Sequence, residues 1–127
     1  MKLNDIIKSK KQLEEMGHEI ENNIIESVNI NVIARFGNCA CFEILCSNVC
    51  AMGGYNNTEN LGILVKSFVE LMGIDKEDGI RLSDIKNIPC RLVFENGGGW
   101  GSKCIGFGDF MRDNFVLVKD FAKLNEV

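Results

Sequence analysis

The segment from Asn96 to Phe115, NGGGWGSKCIGFGDFMRDNF, limits the possible folds of this chain more than any other stretch. It contains six of the thirteen glycines, the single tryptophan and three phenylalanines, together with one lysine and one arginine. Glycine reaches backbone conformations that other residues avoid, and its missing side chain lets a ligand approach the peptide N–H groups. The segment therefore predicts either a glycine-rich hairpin turn leading into a core strand or a loop that holds a small anionic nucleotide.

Length and composition predict one globular domain over residues 1–127. The chain is 46% hydrophobic and 25% charged, which argues against disorder. Its net charge of −4 argues against a protein that binds duplex nucleic acid through a basic face, although a few local cations can hold a small anion. The N-terminal residues lack the apolar core of a signal peptide, and no stretch is as long as a membrane span. We therefore expect a protein of the cytosol with no membrane partner.

Hydrophobic spacing predicts an α+β fold, in which an antiparallel sheet is flanked by an N-terminal and a central helix. Amphipathic helices are predicted over residues 3–16, ending at Gly17, and over residues 61–72, ending at Gly73. A meander of three strands and a C-terminal hairpin with one further strand are predicted over residues 24–36, 39–46, 49–54, 90–95, 103–108 and 115–118. One face of the first strand is predicted to carry Val28, Ile30, Val32, Ala34 and Phe36.

The six cysteines are expected to be reduced thiols packed in the core. Four of them (Cys39, Cys41, Cys46 and Cys50) are clustered, but two fall inside an apolar strand pattern rather than on the C-x₂₋₄-C knuckle of a structural zinc site. A zinc site in this cluster is one alternative, and a disulfide between Cys90 and Cys104 across the hairpin is another. We expect no metal and no cofactor.

Two arginines are candidate ligand contacts. Arg91 alternates out of phase with Cys90, Leu92 and Phe94, so it faces away from the core if those three face into it. A guanidinium in that position suits either a phosphate or a surface ion pair. Arg112 lies in the tight turn that follows the glycines.

Two further residues of the same segment suggest a nucleotide as the ligand, and no motif suggests catalysis. Asp113 can orient Arg112 or accept hydrogen bonds from a ribose hydroxyl or an adenine amino group. Trp100, between glycines, suits stacking on a base, which is worth about 1–3 kcal/mol per base. The single histidine, His18, has no Ser, Cys or Asp at motif spacing, so we predict no catalytic residues.

Four segments carry a resemblance to a known family: GGY (53–55), FVELMGI (68–74), CRLVFE (90–95) and WGSKCIGFGDFMRDNFVL (100–117). They resemble small phage and prophage proteins, in particular the Thoeris anti-defence sponge family of the first type described. The resemblance covers about residues 28–121. It rests on the order of the elements and on the G-F-G-x-F-x-x-D-x-F pattern near the end.

The resemblance implies a non-enzymatic protein of the host cytosol that captures cyclic ADP-ribose isomers and releases them unchanged. Some members of that family are thought to hold cyclic oligonucleotides at separate sites. It also implies pockets between two protomers, in a homo-oligomer that is a dimer or a hexamer of dimers. The family's aromatic platform would fall on Phe94 or Trp100, its asparagine on Asn96, and its arginines on Arg91 and Arg112.

Two other classes of protein stay open. One is an anti-CRISPR-like or other inhibitor that acts by protein–protein binding and uses its acidic surface to mimic nucleic acid. The other is a nucleotide hydrolase, which would need a metal or base cluster that the sequence does not display.

Overall fold

The computed structural model describes residues 1–34, 39–47, 49–53, 60–96 and 102–125. The helices in these ranges are α1 (Leu3–Ile6), α2 (Lys10–Glu15), α3 (Leu61–Met72) and α4 (Val118–Phe121), with a 3-10 helix at Leu82–Asp84. The strands are β1 (Glu19–Ile33), β2 (Cys39–Cys46), β3 (Val49–Gly53), β4 (Ile88–Phe94), β5 (Cys104–Asp109) and β6 (Phe115–Leu117).

These strands form one antiparallel sheet in the order β3-β2-β1-β4-β5-β6. The long strand β1 lies at its centre, because residues 19–25 pair with β4 and residues 25–33 pair with β2. A register shift between Ile25 and Ser27 marks the point where β1 changes partner. The predicted α+β fold, with its meander and C-terminal hairpin, is confirmed.

Helices pack on both faces of the sheet. On one face α3 inserts Phe68 between Phe42 of β2 and Phe107 of β5, with ring centroids 5.3 and 6.0 Å apart, and Phe121 of α4 lies 5.2 Å beyond Phe107. On the other face Leu13 of α2 packs in a smaller cluster with Val93, Phe115 and Leu117. The C-terminal half of the sheet is therefore enclosed between α3 and α2.

The single helix predicted over residues 3–16 is wrong, because the chain forms α1 and α2 with an extended link between them. Ile7 has extended dihedral angles, and Lys8 exchanges two backbone hydrogen bonds with Phe115 on the edge of the sheet (2.8 and 3.0 Å). Ser9 then starts α2, since its hydroxyl accepts from the Gln12 N–H while the Gln12 side chain accepts from the Ser9 N–H. Pairing with a strand a hundred residues away overrides the local helical pattern.

The predicted first strand also differs from β1, which begins five residues earlier. Residues 19–23 are mostly polar and extend because β4 supplies their hydrogen bonds. Of the face predicted to be apolar, Val28 is buried, but Ile30 and Val32 are 43% and 70% exposed. Beyond Ile25, β1 pairs with β2 and no longer with β4. Phe36 lies outside the described residues.

Candidate functional site

Arg91 lies on the face of β4 opposite the main core, as predicted. Cys90 and Leu92 are fully buried on the other face. The Arg91 guanidinium stacks over the Phe115 ring at 4.6 Å from its centroid. Its Nε donates to the Asp109 carbonyl oxygen at 2.9 Å, and Nη2 donates to the Arg112 carbonyl oxygen. Arg91 therefore ties β4 to the turn between β5 and β6.

Arg112 ties the same turn to the end of α3. Its Nε forms an ion pair with the Asp109 carboxylate, and its Nη2 donates to the carbonyl oxygen of Leu71 at 2.8 Å. The guanidinium lies against Gly73, which ends α3 in the left-handed conformation (φ +67°), and a Cβ on Gly73 would lie 2.8 Å from Arg112 Nη2. A cation that binds the last carbonyls of a helix also interacts favourably with the helix dipole.

The structure thus brings three of the predicted site residues together around one turn. The third, Asp113, accepts a hydrogen bond from the Lys10 N–H at 2.6 Å and so attaches the turn to α2. These contacts lie within one chain. A ligand that used Arg91 or Arg112 would compete with the hydrogen bonds that hold the turn in place.

Phe94 and Asn96 lie at the far end of β4, about 10 Å or more along the strand from Arg91. Phe94 is 5% exposed and belongs to the main core, which leaves its ring no free face for stacking. Asn96 is exposed, and its carbonyl oxygen accepts a hydrogen bond from the Ser102 hydroxyl at 2.8 Å. This bond joins the two ends of residues 96–102, which we call the glycine-rich stretch. Trp100 lies outside the described residues.

A cleft of about 460 Å³ lies beside Glu95 and Lys103, the chain neighbours of Asn96 and Ser102. It combines the residues that flank the glycine-rich stretch with the start of α4 and with the residue just before β1. Its lining consists of His18, Glu95, Lys103, Cys104, Ile105, Leu117, Val118 and Lys119. The apolar lining residues, from β5, β6 and α4, are buried or half-buried, and the charged lining residues are exposed.

Lys103 and Lys119 are the cations of this cleft. Both side chains are exposed, and within the part of the chain that the structure describes neither forms an ion pair. Glu95 is the carboxylate on the same lining. With two lysines and one glutamate, the cleft carries a net charge of +1 when His18 is neutral.

A larger cleft of about 930 Å³ lies along α3, and its lining also holds two lysines and one glutamate. It includes Lys2, Gly62, Lys66 and Glu70, and Leu124 and Asn125 close its other side. It is formed by α1, α3 and the C-terminal residues and has no lining residue from the 96–115 segment. We therefore take the cleft beside Lys103 and Lys119 as the candidate site.

Four of the cysteines form no disulfide, namely Cys41, Cys46, Cys90 and Cys104. In the register, Cys90 lies opposite Asp109 and Cys104 opposite Phe94, so the two occupy opposite ends of the hairpin and the alternative of a disulfide between them is wrong. Cys46 donates a hydrogen bond to the sulphur of Cys90, and this bond, with burial, raises the pKa of Cys46 above its usual range. A protonated buried thiol is a core group rather than a nucleophile.

The zinc alternative concerns the cluster of Cys39, Cys41, Cys46 and Cys50. No three His, Cys, Asp or Glu side chains among those described are arranged to hold a metal ion. The side chains of Cys39 and Cys50 lie outside that set.

Compared with known proteins, the chain matches no family model, and no curated protein and no solved structure is significantly similar to it. The resemblance to the Thoeris anti-defence sponge family therefore stays a prediction.

Sequence reasoning did not single out the residues of the cleft. Lys103 directly follows the glycine-rich stretch of residues 96–102 and has no motif around it, and Lys119 follows a core strand like an ordinary surface residue. His18 is a single histidine after a helix. These three residues meet because β5 pairs with β6 and because the end of β4 pairs with the start of β1.

Proposed function

We propose that the protein binds a small cyclic nucleotide signal of the cyclic ADP-ribose class and sequesters it without cleaving it. The single observation that supports this proposal is the cleft at the ends of the glycine-rich stretch. Two lysines without ion-pair partners in the described chain stand there beside apolar lining residues. The resemblance to the Thoeris anti-defence sponge family points to the same class of ligand.

The chemistry of the cleft suits a nucleotide with phosphate groups. Ligand pockets usually measure about 300–1,000 Å³ and combine an apolar lining with a few polar groups that fix orientation. Lys103 and Lys119 can bind phosphate oxygens, and Ile105, Leu117 and Val118 can contact a ribose or a base. In this proposal Asn96 and Trp100, on the adjoining stretch, contribute the remaining contacts, and the base stacks on the indole.

Sequestration requires affinity alone. An enzyme must bind its transition state more tightly than its substrate, whereas a protein that retains a signal needs no such difference. We therefore propose a binding protein rather than an enzyme, with no resident cofactor.

We further propose that the protein acts in the host cytosol as a homo-oligomer, a dimer or a hexamer of dimers. No helix among the residues described is long and apolar enough to cross a membrane. Ile24, Phe110 and Met111 are apolar and 45%, 39% and 83% exposed, and Ile24 and Phe110 line a shallow groove on the sheet. Exposed apolar side chains favour contact with another protein surface.

The same apolar residues favour one second candidate, an inhibitor that acts by protein–protein binding. Light scattering distinguishes the two uses of this surface. If the protein is a homo-oligomer and replacement of Met111 by a charged residue makes it dissociate, the surface serves self-association. If the protein is a monomer both with and without that replacement, the result favours a different protein partner.

Calorimetry with isomers of cyclic ADP-ribose, followed by denaturation and recovery of the ligand, tests the proposed function. We expect the intact ligand to be recovered. A single Lys103→Gln or Lys119→Gln change removes a charge-assisted hydrogen bond worth about 1.5–3 kcal/mol, so the affinity should fall about 10- to 100-fold.

Lys86→Gln makes the same chemical change at an exposed lysine that does not line the cleft, and it should leave the affinity unchanged. Parent-like affinity in the Lys103→Gln/Lys119→Gln double variant would refute the proposed site. Recovery of a cleaved ligand would show an enzyme instead.

A further inference from the structure

The ring of His18 is fixed by the backbone that leads into the glycine-rich stretch. Its Nδ1 lies 2.8 Å from the Glu95 carbonyl oxygen. A carbonyl oxygen only accepts, so Nδ1 carries a proton and donates it. The ring nitrogen left for another partner is Nε2, and His18 is one of the residues that line the cleft.

Protonation of His18 adds one positive charge to a cleft whose lining holds three other charged side chains. The charged groups that line the cleft with His18 are Glu95 after β4, Lys103 before β5 and Lys119 on α4. Glu19 follows on β1, and the adjoining α2 carries the exposed Glu14 and Glu15 outside the cleft. Protonation of His18 therefore doubles the net charge of the lining from +1 to +2.

Protonation also changes what Nε2 can do. In the neutral ring with a proton on Nδ1, Nε2 is an acceptor and repels the oxygen of an anion. In the imidazolium, Nε2 becomes a charged donor. A charge-assisted hydrogen bond to a phosphate oxygen is about twice as strong as a neutral one.

We propose that His18 is a ligand-binding residue of the cleft, whose protonated Nε2 donates to a phosphate oxygen held by Lys103 and Lys119. The proposal rests on the proposed function, since it assumes that this cleft holds the phosphates of the ligand. Imidazole is the side chain that gains its charge between pH 8 and pH 5. The affinity of the protein for its ligand is consequently higher in acid and falls as the pH rises.

ADP-ribose is a suitable probe, because its pyrophosphate stays fully charged across this range of pH. We expect its dissociation constant, measured by calorimetry at constant ionic strength, to be about tenfold lower at pH 5.5 than at pH 8. Because His18 is the only histidine, its imidazole proton resonances can be assigned without ambiguity, and they should shift when ADP-ribose is added.

His18→Gln retains a donor for the Glu95 carbonyl oxygen and cannot gain a charge. We expect the dissociation constant of this variant for ADP-ribose to be the same at pH 5.5 as at pH 8, without the tightening in acid. Lys11→Gln, at an exposed position of α2 outside the cleft, should keep the parent's pH dependence.

The outcomes separate the two proposals. Binding that is independent of pH, or a pH dependence that persists in His18→Gln, overturns the role of His18 and leaves the proposed function intact. Absence of ADP-ribose binding at every pH overturns the role of His18, and the calorimetry with cyclic ADP-ribose isomers then decides the proposed function. If His18→Gln fails to fold, the pH dependence and the imidazole shift of the unaltered protein still decide the question.

Discussion

Replacement of Arg112 by alanine tests whether this arginine is a structural clamp or a ligand contact. In the structure its guanidinium joins the carboxylate of Asp109 to the last carbonyls of α3. The alanine variant loses all of these bonds. It also leaves the Asp109 side chain, which is 11% exposed, with the Met111 N–H as its remaining hydrogen-bond donor among the contacts described.

The expected loss of stability follows from these contacts. Hydrogen bonds to charged groups contribute about 1.5–3 kcal/mol each. The Arg112 side chain is 50% exposed, so solvent screening reduces its share, and the poorly solvated carboxylate accounts for most of the cost. We expect the free energy of unfolding to fall by about 2–3 kcal/mol, which lowers the melting temperature by about 8–12 °C in a domain of this size.

Urea unfolding followed by circular dichroism measures this loss. The transition midpoint should fall with an unchanged slope, because the surface exposed on unfolding is the same. Arg81→Ala removes an exposed arginine for which the structure shows no side-chain hydrogen bond or ion pair in the described chain, and it should cost less than about 0.5 kcal/mol.

A double-mutant cycle with Asp109→Asn tests the role of the buried charge. The double variant should be more stable than the sum of the two single changes implies, by about 1 kcal/mol or more, because no carboxylate is then left without its partner. Parent-like stability of Arg112→Ala would refute the structural reasoning. If that variant also lost the ligand, Arg112 would be a ligand contact, as the resemblance implies.

Further predictions concern the backbone. Gly108→Ala would place its Cβ 2.6 Å from the Asn114 carbonyl oxygen and against the Phe115 ring, so we expect more than about 3 kcal/mol of destabilisation or insoluble protein. Gly62→Ala meets no atom within 4 Å and should stabilise α3 by about 0.5 kcal/mol, a matched control for the same substitution. Ser9→Ala removes the acceptor for the Gln12 N–H and should cost about 1 kcal/mol, measured by the same unfolding assay.

Local patterns predicted those elements whose form depends on neighbouring residues. The apolar stripe over residues 61–72 and the left-handed glycine at Gly73 match α3 and its end, and residues 39–46 match β2. The alternation in β4 correctly placed Arg91 on the opposite face from Cys90 and Leu92. It also placed Phe94 in the core, in conflict with its expected role as a stacking platform.

Long-range contacts decided the rest. A sequence pattern does not show that Lys8 pairs with Phe115, that β4 extends β1 back to Glu19, or that Arg112 reaches the end of α3. Each of these partners lies between about 40 and 107 positions away in the chain.

The chain alone thus determined its fold class and its most regular helix and strands, because side-chain periodicity records which face of an element is buried. Tertiary structure alone decided that the arginines hold a turn and that Lys103, Lys119 and His18 share a cleft. The reason is physical. Hydrogen bonds and charges act over a few ångströms in space, and only the pairing of distant strands brings those side chains within that range.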